Sequence, residues 1–162
     1  MEATDYKNVH KLKGKLFLNA LLDVITYSYI LLFFYTAISK IITFSTFKKV
    51  LSDLPLVGEY YEYVAFGIIF SEMVIGTMLI IPKWRVAGIK ASLLLMVIFT
   101  LYLGYHILTR SKLPCSCGGV ISGMTWQQHL AFNTGFIGLA VTGLHIINFL
   151  NKNIHARKQV NP

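Results

Sequence analysis

The sequence predicts an all-α, polytopic membrane protein: a four-transmembrane-helix bundle with a short amphipathic helix in its first outer loop. Three observations carry that expectation. Apolar residues make up 55% of the chain and charged residues only 14%, with a mean hydropathy of +0.60, a balance too apolar for an ordinary soluble domain. Four segments, at about 19–42, 63–81, 86–108 and 128–150, reach the length of ~20 apolar residues that a helix needs to cross a hydrocarbon core of roughly 30 Å. None of them alternates with period two, which excludes strands of comparable length.

The expected division is a basic N-terminus (1–18), a transmembrane domain (19–150) and a C-terminal tail (151–162), with almost no chain left for a soluble domain and no internal repeat. The stretch from Met1 to Lys15 is polar and basic, and the apolar run behind it is long enough to remain as a helix, so no cleaved signal peptide is expected. Lys40 lies near the far end of the first span. Beyond it, Phe44, Phe47, Leu51 and Leu54 fall at helical spacing, with Lys48, Lys49 and Ser52 on the other face, and Pro55 ends the pattern. This is the amphipathic helix, expected to cap the bundle at the interface.

The second span carries Glu72. Counted from Tyr63 at ~1.5 Å per residue, Glu72 lies near the midplane, where a charge costs about 3 kcal/mol on insertion scales. It is therefore expected to face the bundle interior, with Tyr35, Thr100 and Asn133 at hydrogen-bonding depth and Lys40 able to reach down to it. The third span ends near His106. Between it and the fourth span lies Cys115-Ser116-Cys117-Gly118-Gly119, which contains both cysteines of the chain. Two thiols one residue apart can form a tight disulfide, share a soft metal or do neither. Thr125 with Gln128 makes a capping-box pattern that starts the fourth helix, Trp126 suits the interfacial aromatic belt, and His129 and Asn133 share one helix face. Ala131, Gly135, Gly138 and Thr142 form a small-residue stripe nearly opposite that face, suited to close contact with a neighbouring helix or a second subunit. His145 lies deeper, in the other half of the span, and reads as structural.

The net charge of +8 is distributed by side. Lys7, Lys11, Lys13, Lys15, Lys83, Arg85, Lys90, Lys152, Arg157 and Lys158 share one side if the helices alternate. Lys40, Lys48, Lys49, Arg110 and Lys112 share the other, offset by Asp53, Glu59 and Glu62. The positive-inside rule then puts both termini in the cytoplasm of a bacterial plasma membrane. The basic surplus is a topology signal with affinity for anionic lipid, and not a nucleic-acid surface. Cys115 and Cys117 fall on the outer, oxidising side, where paired thiols tend to be disulfide-bonded.

With these residues in view, the chain resembles the MauE/DoxX group of redox-associated membrane proteins. The likeness spans four helices, Ile38-Ser39-Lys40 at the end of the first, Phe70-Ser71-Glu72 in the second, and the Cys-x-Cys-Gly-Gly loop followed by Trp126, His129 and Asn133. The Lys and Glu resemble the wider DoxX pattern; the cysteine loop with Trp-x-x-His is the MauE-like part. The resemblance implies association with periplasmic thiol–disulfide chemistry, MauE itself being linked to maturation of a disulfide-rich methylamine dehydrogenase. On this reading Cys115 and Cys117 exchange with a periplasmic thioredoxin-like or disulfide-containing partner, with His129 or His106 assisting proton transfer and Glu72 as a proton site beside the redox group. Whether the chain is itself a thiol–disulfide oxidoreductase or an accessory subunit stays open. Three alternatives stand beside it. A quinone-coupled thiol oxidase would use a quinone cofactor and a second cysteine pair from a partner. A copper- or zinc-handling protein would use Cys115, Cys117, Met124 and His129. A structural subunit would keep the disulfide as a staple, which so short a loop rewards little.

Overall fold

A computed structural model describes residues 2–53, 57–108 and 126–160. Five helices follow one another and no strand occurs among the described residues: α1 (Glu2–Ile42), α2 (Phe44–Ser52), α3 (Tyr61–Ile80), α4 (Arg85–Leu108) and α5 (Trp126–Val160). Four of them contain spans long and apolar enough to cross a membrane, at Leu12–Ile42, Tyr61–Ile80, Arg85–Tyr105 and Gln127–Lys152. The protein is a multi-pass helical membrane protein, as the apolar segments predict. The first and last helices run beyond their spans, through the basic N-terminal segment and into the C-terminal tail. Propagation explains this: once a helix is nucleated by its packed part, each further Lys, Leu or Ala adds a backbone hydrogen bond at little cost.

The spans form a ring in which α1 packs on α3 and α5, and α4 packs on the same two, while α1 and α4 barely meet across the centre. Leu22, Ile25, Tyr29 and Phe33 of α1, Ile75 and Leu79 of α3, Ile89 and Met96 of α4, and Ala140, Ile146 and Ile147 of α5 are buried in one cluster. The outside is apolar as well: Leu31 of α1, Phe70 of α3 and Leu101 of α4 are each about 70% exposed, which only a lipid surround makes tolerable. Gly76 allows the close approach of α3 to α1, because a Cβ there would stand 3.0 Å from the Phe34 ring. At Gly88, one would stand 2.9 Å from the Leu79 side chain, where α4 turns back onto α3.

Helix α2 is amphipathic as its spacing predicts. Phe47, Val50 and Leu51 are buried, while Ser45, Thr46, Lys49 and Ser52 are exposed. Phe47 and Leu51 join Ala65 of α3 in a second apolar cluster, flanked by Val64, Ile68 and Tyr102. The helix thus lies across the end of the bundle where α1 stops and α3 begins. Leu54 and Pro55, expected to close it, lie outside the described residues.

Candidate functional site

Beneath α2 the bundle holds a buried ion pair. Lys40 Nζ donates to both oxygens of Glu72, at 2.7 and 3.0 Å, bridging α1 and α3. The Glu72 side chain is 3% exposed and that of Lys40 13%, so the carboxylate is the deeper member and the ammonium the one nearer the rim. Thr36, one turn before Lys40, is buried and donates its hydroxyl to the Phe33 carbonyl at 3.2 Å. The ring of Phe47 lies over the ammonium, with Nζ 5.9 Å from its centroid. Low dielectric strengthens the attraction between the two charges, and burial makes loss of either partner expensive.

The inward placement of Glu72 and the reach of Lys40 agree with the cost of a charge at that depth. The other expected partners differ. Tyr35 is about half exposed; its neighbour Thr36, one step of 100° around the helix, is the buried one of the two. Thr100 donates to the Met96 carbonyl of its own helix at 2.7 Å.

Helix α5 supplies the remaining polar residues. Asn133 is buried, and His129, one turn before it on the same face, is half-buried. The small stripe of Ala131, Gly135, Gly138 and Thr142 is exposed, with open space beyond Gly135 and Gly138. The two faces of α5 therefore divide as their spacing predicts, polar inward and small outward. His145 is exposed. The structure thus brings together Lys40 and Glu72, with buried Thr36 one turn before Lys40, while His129 stands half-buried in the first turn of α5. Cys115, Cys117 and Met124 lie outside the described residues, as does the start of the capping box at Thr125, so only His129 of the metal-donor set is placed. His106 is in α4 and Trp126 begins α5.

The sequence reading missed a second polar cluster at the opposite end. Arg85, in the first turn of α4, donates through Nε to the Thr26 hydroxyl at 2.9 Å and through Nη2 to the Asp23 carboxylate, both on α1. Asp23 inside an apolar run was the available signal. The clasp joins the two helices that otherwise scarcely touch. Asp23 is half exposed, so Arg85→Ala is expected to cost only about 1 kcal/mol, and less at high salt. Thermal midpoints in detergent at low and high salt check this, and Arg85→Lys should recover only part, since it lacks the forked reach.

The family model for methylamine utilisation protein MauE matches residues 18–146. The chain belongs to the MauE family. The match takes in the second and third spans whole and most of the first and fourth, with Lys40, Glu72, His129 and the segment carrying Cys115 and Cys117 inside it. No curated protein and no solved structure matches the chain. In this MauE-family protein the Lys40–Glu72 pair lies below α2, at the end of the bundle where α4 finishes and α5 begins.

Proposed function

We propose that this MauE-family protein supports thiol–disulfide exchange with an exported partner through Cys115 and Cys117, on the outer face of a bacterial plasma membrane with both termini cytoplasmic. The observation that supports the reading is the buried Lys40–Glu72 pair, with half-buried His129 in the first turn of α5, at the end of the bundle where the chain between α4 and α5 carries the two cysteines. Exchange needs a thiolate, a base to take its proton and a second thiol to resolve the mixed disulfide. A partner thiolate attacks the Cys115–Cys117 disulfide, one sulfur departs as thiolate, and the partner's second thiol displaces the other. The partner loses two electrons and two protons, and the cysteine pair gains them. His129 is the group on α5 suited to move those protons. Return to the disulfide requires an oxidant, for which a membrane quinone is the suitable class. The wider DoxX likeness rests on Lys40 and Glu72, and the methylamine link of the family name makes a disulfide-rich exported enzyme a candidate partner.

A membrane-impermeant thiol reagent applied to intact spheroplasts after mild reduction is expected to label Cys115 and Cys117, and to label neither before reduction. Labelling that appears only once the membrane is opened would place the pair in the cytosol and remove the oxidising compartment on which the proposal depends.

A further inference from the structure

We propose that α2 is a hinged lid over the Lys40–Glu72 pair, and that its lifting is what admits water and small polar solutes to the ammonium. Thr43 alone separates α1 from α2, and its backbone (φ −100°, ψ 30°) departs from the helical region. Its N–H still reaches the Ser39 carbonyl at 3.0 Å and its carbonyl accepts from Phe47 at 2.9 Å, so the break is a defined hinge with its hydrogen bonds kept. The helix has nine residues, too few to be stable alone, and it keeps its place by burying Phe47, Val50 and Leu51. At its rim Lys48 donates to Glu62 of α3 at 3.0 Å, an exposed and salt-screened pair of the kind that holds weakly. Hinge, apolar cover and weak latch lie on one short element, and the group under its aromatic ring is the ammonium of a buried ion pair. A short element held by one apolar face and an exposed tie opens locally at less cost than the long spans it covers.

The lid is independent of any cysteine chemistry, and its test reads it without that chemistry. The full chain, with Cys115→Ser and Cys117→Ser, receives Lys48→Cys and Glu62→Cys and is bridged by a short bifunctional thiol crosslinker cleavable by reductant. A pulse of a water-soluble acetylating ester in detergent is read by mass spectrometry at Lys40, with exposed Lys49 as internal reference. Bridging is expected to slow acetylation of Lys40 about tenfold or more, with Lys49 unchanged and the rate restored on cleavage. Phe47→Ala, in the unbridged chain with native helical content, is expected to raise the Lys40 rate about threefold or more. Equal Lys40 rates with the bridge intact and cleaved would overturn the proposal. So would a Lys40 that is never acetylated in either state, since α2 would then be a wall.

Discussion

Lys40→Met is expected to destabilise the protein by about 3–5 kcal/mol, the range for removing one member of a buried ion pair. The loss comes less from the missing attraction than from what remains: the Glu72 carboxylate, 3% exposed, with its two short hydrogen bonds gone and no water to replace them. Glu72→Gln should cost less, because the amide oxygen still accepts from Lys40 and the ammonium left without a counter-charge is the less buried member, 13% exposed against 3%. The double change Lys40→Met with Glu72→Leu should recover most of the stability, since two apolar side chains of similar volume need no partner. Thermal midpoints and membrane yields of the three variants decide the matter. A Lys40→Met protein as stable as the parent would show that the pair is already reached by water.

Tyr29 gives the second large effect. It is fully buried, stacks on Phe33 and meets Phe136 edge-on at 5.2 Å, and its hydroxyl donates to the Phe136 carbonyl of α5 at 2.5 Å. Tyr29→Ala removes the ring and leaves a cavity between α1 and α5, for about 3–5 kcal/mol. Tyr29→Phe keeps the packing and loses only the hydrogen bond, for about 1 kcal/mol. The gap between the two variants, read as thermal midpoints, separates packing from polar bonding. Near-equal losses would mean that the hydroxyl, and not the ring, joins the helices.

The four spans and the amphipathic α2 were legible because bilayer thickness and helical spacing act directly on sequence. Glu72 was legible for a related reason: the energy of a carboxylate at mid-depth admits few placements, and Lys40 was the long cation at a reachable level. Side-chain choice within a depth was not legible. Tyr35 and Thr36 are adjacent and equally deep, and α1 is apolar on nearly every face, so no periodicity shows which of the two turns inward. Arg85 illustrates the same limit. The sequence reading grouped it with the basic residues of the second connection, whereas it is the first residue of α4, and its hold on Asp23 and Thr26 depends on the rotation of α1 against α4. On α5 the rotation could be read, because small residues and polar residues occupy opposite stripes.

The cysteine chemistry is tested most directly by trapping. Cys115→Ser and Cys117→Ser, each expressed alone in cells and quenched with acid, are expected to yield a mixed disulfide with an exported protein through the remaining thiol in at least one of the two. The remaining thiol can join the partner, but the neighbour that would resolve the adduct is gone. The adduct should vanish in the double Ser variant and under reductant. No adduct from either single variant, with the double variant behaving as the parent, would contradict the exchange role and leave the pair with a structural one.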